Sequence, residues 1–208
     1  PHPIGDEMNY ITLVCGFPRS GTSLMMRLIQ AAGVPLYYDH EHSFETDKIQ
    51  GLPERWQWME ECVGKAVKVL DPHEWTPPPF FNYRVIWMDR NAGEQAKSQA
   101  KMLRLVGGCR PKPDQVNRVA RQLISERDAA LKVVHRLAHN PVCDVIMVTF
   151  ETLIEQPLST CAAICGWLRV SSSQADCMAG LIDKRNPDCL PHLRELAYLL
   201  PTPSEAPR

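Results

Sequence analysis

The sequence predicts one α/β domain in which a central parallel sheet is covered by helices on both faces, a three-layer α/β/α architecture. Two observations carry this prediction. The chain has 208 residues and 44% hydrophobic content, which is enough for a sizeable core and makes one domain the default. Short apolar runs typical of buried strands alternate with segments whose apolar residues recur at helical spacing.

The elements follow from these patterns in chain order. The predicted strands span 11–15, 34–38, 65–70, 83–88 and 144–150, and the predicted helices span 22–32, 53–62, 94–105, 114–140, 158–168 and 174–183. Asn91, with Glu94 three residues later, is a typical helix N-terminal cap before the third helix. At its predicted length the fourth helix should span about 40 Å. Ligands of such sheets bind beyond the carboxyl ends of the strands, so the loops at that edge are the candidates for function.

Composition narrows the class of protein. The formal net charge is −1 and the sequence pI is about 6.8, which argues against broad electrostatic binding to nucleic acid or to an anionic membrane. No stretch approaches the roughly 20 apolar residues of a spanning helix. Eight cysteines form no CxxC pair, so we expect reduced thiols and a cytoplasmic protein. Residues 1–9 are expected to be a disordered or non-native N-terminus, residues 10–190 the domain, and residues 191–208 a proline-rich tail.

The first strand is followed by a loop with phosphate-binding spacing, Gly16-x4-Gly21-Thr22-Ser23. In this pattern a tight turn exposes backbone N–H groups to phosphate oxygens at the N-terminus of a helix. Thr22 stands where a nucleoside triphosphatase places its lysine, and a cation is found instead at Arg19 inside the loop. The loop therefore predicts a phosphate cradle but disfavours triphosphate chemistry.

A second pair of residues points to the same edge. Arg90 follows the predicted strand 83–88, and Ser98 lies eight residues later on the next helix. Both side chains can face an anion above the sheet.

Together these residues resemble the sulfotransferase superfamily, over roughly residues 10–190. Residues 17–23, Phe-Pro-Arg-Ser-Gly-Thr-Ser, look like its 5′-phosphosulfate loop, and Arg90-x7-Ser98 looks like its 3′-phosphate motif. Residues 150–157, Phe-Glu-Thr-Leu-Ile-Glu-Gln-Pro, resemble the family's Tyr-Glu-Asp-Leu segment. Segments 65–72, 83–90 and 96–103 are similar to those of compact bacterial-type members. The resemblance implies a P-loop NTPase-like sulfotransferase fold and 3′-phosphoadenosine-5′-phosphosulfate (PAPS) as co-substrate.

The resemblance also implies a role for each matching residue. Arg19 would contact the 5′-phosphosulfate as a catalytic cation, Arg90 and Ser98 would hold the 3′-phosphate, and Phe150 would lie against the adenine in place of a tyrosine. The 5′-phosphate would be held by the loop residues Pro18, Arg19, Ser20, Gly21, Thr22 and Ser23. The family's late Arg-Lys-Gly segment has no clear match, and Lys184 with Arg185 are the candidates to replace it.

Transfer of a sulfuryl group can be stabilised by fixed N–H donors and a cation such as Arg19, so no metal is required. The acceptor must also lose a proton. His73, just after the third strand, is the predicted catalytic base, because histidine titrates near neutrality and many family members place a histidine there. Asp71 is the alternative. No metal site is predicted, since His135 and His139 share a helix face but lack a third ligand.

The predicted acceptor is a small molecule or glycan carrying a hydroxyl or amine, with an aromatic or apolar body. This expectation depends on aromatic residues in the two segments that flank the crevice, Tyr37, Tyr38, Phe44, Trp56, Trp58, Trp75, Phe80 and Phe81. Two other functions stay open: a P-loop kinase or hydrolase with Asp89 as its magnesium ligand, and a nucleotide-binding protein without catalysis. The oligomeric state is not predicted.

Overall fold

The computed structural model describes residues 10–41, 43–50, 53–107, 111–137 and 144–183. The predicted N-terminal segment 1–9 and the tail 191–208 lie outside these residues, as do Lys184, Arg185 and His139.

Five parallel strands form the central sheet, which confirms the predicted fold class. They are β1 (Ile11–Gly16), β2 (Leu36–Tyr37), β3 (Ala66–Leu70), β4 (Tyr83–Asp89) and β5 (Asp144–Thr149), and their order in the sheet is β2-β3-β1-β4-β5. The residues of β1 are buried on both faces, as expected of a strand at the centre of a covered parallel sheet.

Helices cover both faces of this sheet. They are α1 (Thr22–Ala31), α2 (Ala92–Gly107), α3 (Pro113–Leu137), α4 (Phe150–Glu155), α5 (Pro157–Leu168) and α6 (Gln174–Gly180). One apolar cluster joins β1 to Leu123 and Val134 of α3, while a second joins the opposite face to Met25 of α1 and Ile164 of α5. The molecule therefore has the three predicted layers.

Three elements differ from their prediction. Residues 53–62 form a 3-10 helix, Pro53–Cys62, rather than an α-helix. Met59 and Cys62, both fully buried, stand three residues apart, which suits three residues per turn. The second strand has two residues instead of five. The last strand ends at Thr149, because the Thr149 hydroxyl accepts a hydrogen bond from the backbone N–H of Thr152 at 3.1 Å and caps the unpredicted helix α4.

The strand order brings three chain segments to one edge of the sheet. β1 lies between β3 and β4, so the loop after Gly16, the turn at Asp71 and the segment beginning at Arg90 all leave the sheet side by side. The Asp71 backbone N–H donates to the Gly16 carbonyl at 3.2 Å, which ties two of these segments together. Ligand-binding crevices of open parallel sheets occur at such a point.

Candidate functional site

The loop between β1 and α1 adopts a tight turn that requires glycine at positions 16 and 21. A Cβ on Gly16 would lie 2.8 Å from the Met88 carbonyl oxygen, and Gly21 has a φ of +107°. The backbone N–H of Ser20 donates to the Phe17 carbonyl at 3.0 Å, and Arg19 has a φ of 70°. Alternation of left-handed and right-handed residues turns backbone N–H groups toward one side, which creates an anion-binding concavity.

The N-terminus of α1 stands at the end of this loop. Gly21 precedes the helix in a left-handed conformation, and no side chain caps it. The first N–H groups of an α-helix have no partner within the helix, and the helix dipole adds positive potential there. The loop and α1 thus provide the cradle that the glycine spacing predicts.

Helix α2 holds the loop in place through two glutamines that the sequence prediction missed. The side-chain amides of Gln95 and Gln99 donate to the Pro18 carbonyl at 2.8 Å and 3.1 Å. Gln95 is buried. The signal in the sequence was the spacing, since residues 95 and 99 lie on the same face of a helix as Ser98.

Arg19, Ser98 and Arg90, which belong to two separate predicted motifs, form one hydrogen-bonded group. Arg19 Nε donates to Ser98 Oγ at 3.2 Å, and Arg90 Nη1 donates to the Arg19 carbonyl at 2.9 Å. Ser98 is buried, with 8% of its surface exposed. The structure therefore brings two guanidinium groups and a hydroxyl to the same side of the loop.

Phe150 lies against this group. Its ring centroid is 4.3 Å from Arg90 Cζ, and a Cβ on Gly21 would be 2.7 Å from its Cδ2 atom. As the first residue of α4, it leaves the sheet at the same edge as the loop. An aromatic surface is thus present beside Arg90, at the place where the resemblance implies an adenine contact.

The three hydroxyls of the loop differ in surroundings. Ser20 Oγ is buried without a hydrogen-bond partner, and Thr22 is buried with 3% of its surface exposed. Ser23 Oγ accepts a hydrogen bond from Lys68 Nζ at 3.0 Å. Ser20 is thus left with an unsatisfied buried hydroxyl, which is a costly arrangement unless a ligand or water contacts it.

Lys68, on β3, is a second residue that the sequence prediction missed. Only 4% of its side chain is exposed, and Nζ also donates to the Ser43 carbonyl at 2.8 Å and to Glu45 Oε1 at 2.7 Å. It therefore places a buried positive charge beside Ser23, at the start of α1. The signal was a lysine inside an otherwise apolar strand, where an isolated buried charge is expected to have partners.

The two candidate bases lie after β3 and differ in their surroundings. His73 Nε2 is 4.0 Å from Glu126 Oε2 on α3, and His73 Nδ1 is buried without a hydrogen-bond partner. The imidazole packs edge-on against Phe17, with 5.8 Å between ring centroids. Asp71 is left-handed, with a φ of 49°, although it is not glycine. Burial, followed by the charges of Glu74 and Glu126, raises the pKa of Asp71 to about 6, while His73 lowers it.

Asp89, the possible magnesium ligand of the kinase alternative, is engaged elsewhere. Its two carboxylate oxygens accept hydrogen bonds from Nε and Nη2 of Arg127 on α3. Within the described ranges, no group of three or more His, Cys, Asp and Glu side chains is arranged to hold a metal ion. No described helix combines the length and the apolar character that crossing a membrane requires.

The aromatic residues expected at the acceptor site divide into two sets. Phe44 and Trp58 are buried with 5% and 7% of their surface exposed, so they belong to the core. Phe80 is 74% exposed and lies 4.8 Å from Phe81 between ring centroids. The side chain of Trp56 lies outside the described residues. Phe80 and Phe81 directly precede β4, whose first residue pairs with the first residue of β1, so they lie at the edge of the sheet opposite the loop. The partly buried Trp75, whose backbone N–H donates to the Asp71 carbonyl at 3.1 Å, lies at the edge where the loop leaves the sheet.

These features fit a ligand that carries phosphate. The cradle and α1 present N–H donors, Lys68 and Arg19 bring positive charge, and the Arg90 guanidinium lies against the ring of Phe150. Guanidinium groups and helix N-termini are the usual protein partners of phosphate.

The fold and this site define an α/β protein with a phosphate-binding loop after its first strand. Comparison with solved structures identifies which kind of α/β fold this is. The structure of mouse sulfotransferase SULT7A1 complexed with PAP (3′-phosphoadenosine 5′-phosphate) matches with a TM-score of 0.60 at 12% identity, and the match covers 94% of this chain and 73% of that one. Retinol dehydratase with androsterone and the inactive cofactor PAP matches with a TM-score of 0.54 at 15% identity, covering 83% and 64%.

A structure of retinol dehydratase with retinol and PAP matches with a TM-score of 0.51 at 16% identity, covering 85% of this chain and 65% of that one. This chain thus spans slightly less than two thirds of the retinol dehydratase length. No family model and no curated protein matches the sequence. The chain has the sulfotransferase fold, which confirms the predicted resemblance at the level of structure.

Proposed function

We propose that this chain is a sulfotransferase that moves a sulfuryl group from PAPS to an acceptor hydroxyl or amine and releases 3′-phosphoadenosine 5′-phosphate (PAP). The observation that carries the proposal is the hydrogen-bonded group of Arg19, Ser98 and Arg90 beside the glycine cradle. A nucleotide with a single phosphate-bearing end needs only the cradle. A second anion-binding group is expected for a ligand that also carries a 3′-phosphate.

In this proposal the loop from Pro18 to Ser23 and the N-terminus of α1 bind the 5′-phosphosulfate, and Arg90 with Ser98 binds the 3′-phosphate. Phe150 supports the adenine. PAPS supplies an activated sulfuryl group, and Arg19 and Lys68 offset the negative charge that develops as the bond to the 5′-phosphate breaks. His73 and Asp71 are the candidates to accept the acceptor's proton.

For the acceptor we propose a small molecule with an apolar or aromatic body. Trp75, which is partly buried and whose backbone N–H donates to the Asp71 carbonyl at 3.1 Å, offers aromatic surface at the edge of the sheet where the loop leaves it. Retinol dehydratase, which shares the fold, was crystallised with androsterone and with retinol, and both have extended apolar bodies.

The kinase alternative is the less favoured one. Thr22 occupies the position of the lysine that bridges phosphates in P-loop kinases, and both oxygens of Asp89 bind Arg127. The non-catalytic alternative shares the nucleotide site and differs only in the absence of transfer.

Calorimetry with PAP, 5′-AMP and Mg·ATP tests the proposal. We expect PAP to bind about 10- to 100-fold more tightly than 5′-AMP, because the 3′-phosphate adds charge-assisted hydrogen bonds worth about 1.5–3 kcal/mol. Equal affinities for PAP and 5′-AMP contradict the donor assignment. Incubation with ³⁵S-labelled PAPS and pools of hydroxylated compounds and amines then tests transfer, and PAP binding without any labelled product favours the non-catalytic alternative.

A further inference from the structure

A carboxylate on α4 contacts the chain next to Arg90. Glu151 Oε1 accepts a hydrogen bond from the backbone N–H of Asn91 at 3.1 Å, and Asn91 directly follows Arg90 in the chain. We propose that Glu151 is a positioning residue for Arg90 and thereby determines the preference of the site for nucleotides that carry a 3′-phosphate. This inference rests on the proposed function and names a further specificity-determining residue of the same site.

The hydrogen bond from Asn91 completes the start of α2. Asn91 Oδ1 accepts the backbone N–H of Glu94 at 3.1 Å, which is the contact that an N-cap residue makes. In a capping box, the glutamate three residues later also accepts the N–H of the N-cap residue itself. Here Glu151 accepts that N–H from another helix, while Glu94 Oε1 accepts a hydrogen bond from Lys97 Nζ at 3.0 Å. The contact with α4 therefore fixes where the chain enters α2, one residue after Arg90.

The neighbouring residue of α4 contacts the side chain of Arg90. The ring centroid of Phe150 lies 4.3 Å from Arg90 Cζ. Consecutive residues of α4 thus contact consecutive residues at the start of α2, one through an aromatic ring and the other through a backbone hydrogen bond. Arg90 Nη1 in turn donates to the Arg19 carbonyl at 2.9 Å. Together these contacts hold both the backbone and the side chain of Arg90.

The pairing of β4 with β5 brings α4 to this place. The two parallel strands pair up to Asp89 and Thr149, so Arg90 and Phe150 are the next residues beyond the paired ends. Leu153, which is fully buried, anchors α4 in the apolar core. Residues on anchored helices position a site more precisely than residues on loops do. Glu151 is therefore a suitable support for the start of α2.

The charge of Glu151 and its hydrogen bond have opposite effects on an anion bound at Arg90. A carboxylate repels a phosphate, whereas a hydrogen bond that fixes the segment carrying the guanidinium favours phosphate binding, because less ordering is needed when the ligand binds. The hydrogen bond requires an oxygen acceptor at the right distance but no negative charge. Substitutions at this position can therefore separate the two effects.

Three substitutions make this separation. Glu151→Gln keeps an oxygen acceptor at the same length without the charge, Glu151→Asp keeps the charge on a side chain one methylene shorter, and Glu151→Ala removes both. Calorimetry measures the affinity of each variant for PAP and for 5′-AMP, which lacks the 3′-phosphate. We expect PAP affinity to fall about tenfold in Glu151→Ala and Glu151→Asp, and to change less than about threefold in Glu151→Gln. Affinity for 5′-AMP should change less than about threefold in all three.

Glu155→Ala is the matched control, because Glu155 is an exposed glutamate on the same helix, and it should change neither affinity. If Glu151→Ala does not fold, Glu151→Asp gives the same comparison. Equal losses of affinity for PAP and 5′-AMP would assign Glu151 to the general stability of the site and overturn the inference. Higher PAP affinity in both Glu151→Ala and Glu151→Gln would also overturn it, since the charge would then outweigh the hydrogen bond.

The same measurements separate this inference from the proposed function. If the unmodified chain prefers PAP to 5′-AMP and every variant keeps that preference, Glu151 has no positioning role while the proposed function stands. If the unmodified chain binds PAP no more tightly than 5′-AMP, the proposed function itself fails.

Discussion

Arg19 Nε donates a hydrogen bond to Ser98 Oγ over 3.2 Å, and this contact joins the loop after β1 to helix α2. The resemblance implies that these two residues act at opposite ends of the donor, one at the 5′-phosphosulfate and one at the 3′-phosphate. Their hydrogen bond therefore links the two residues that the resemblance assigns to opposite ends of the donor. Arg90 strengthens the connection, because it binds the carbonyl of the same Arg19. Changes at one end should therefore affect the other.

Arg90→Ala should weaken PAP binding by about 10- to 100-fold, because a charge-assisted contact to phosphate is worth about 1.5–3 kcal/mol. Binding of 5′-AMP should weaken less, by the amount due to the lost support of the Arg19 carbonyl. Calorimetry with both nucleotides measures the two effects, and Arg118→Ala, an exposed arginine on α3, is the control. An equal loss of affinity for PAP and 5′-AMP would place Arg90 outside the 3′-phosphate site.

Gly21→Ala and Gly33→Ala separate two costs at residues with positive φ. Gly33 has a φ of +85° and nothing within 4 Å of an added Cβ, so its substitution should cost only the conformational strain, about 1–2 kcal/mol. Gly21→Ala should cost about 1–2 kcal/mol more, because its Cβ would collide with Phe150. Urea unfolding measures both. PAP affinity should fall only for Gly21→Ala, and equal effects of the two variants on stability would contradict the packing of Phe150 on the loop.

The sequence predicted the strands and the cradle because apolar runs and glycine spacing are local signals. It did not predict α4, since the helix has six residues and begins where an apolar strand pattern continues into Phe150. Lys68 was predicted only as part of a strand, because its contact with Ser23 joins residues 45 positions apart and leaves no local pattern. The direct bond between Arg19 and Ser98, which are 79 positions apart, is equally invisible in a local pattern. Residue identities thus indicated candidate residues for the site, and tertiary contacts decided which of their side chains meet.

The ion pair between Lys68 and Glu45 should respond asymmetrically to substitution. Lys68 is 4% exposed and Glu45 is 47% exposed. Glu45→Ala removes a negative charge beside a buried ammonium, so it should reduce the free energy of unfolding by about 2–3 kcal/mol. Lys68→Met replaces the buried charge with an apolar chain and leaves a carboxylate that water can solvate, so it should cost less than about 1 kcal/mol. Urea unfolding of both variants tests this order, and the reverse order would show that Lys68 gains its stability from other contacts.

Lys68→Met should nevertheless weaken ligand binding. The ammonium donates to Ser23 Oγ, so its loss removes positive charge from the phosphate cradle and frees the Ser23 side chain. We expect PAP affinity to fall about tenfold, an energy of about 1.4 kcal/mol. Lys132→Met, on an exposed position of α3, is the control for the loss of a surface lysine. Unchanged PAP affinity in Lys68→Met would separate this lysine from the donor site.

Asp71 should make the stability of the protein depend on pH in a defined window. Its pKa is about 6 in the folded chain, above the value of 3.8 for the free side chain, so the folded state binds the proton more tightly than the unfolded state does. The free energy of unfolding therefore falls as the pH rises from about 4 to about 6, and the full destabilisation by Asp71 is present at higher pH. Because the carboxylate is partly exposed, solvent screening limits this cost to about 1 kcal/mol.

Asp71→Asn removes that cost. Relative to the unmodified chain, the variant should gain about 1 kcal/mol in free energy of unfolding at pH 7.5 and gain nothing at pH 3.5, as measured by urea unfolding at each pH. Asp128→Asn, whose carboxylate is exposed, provides the comparison. A more stable Asp71→Asn variant that also transfers less sulfate to alcohols would mean that the protein retains a destabilising carboxylate because the reaction requires it. A gain of the same size at both pH values would instead assign the effect to the left-handed backbone, which asparagine adopts more readily.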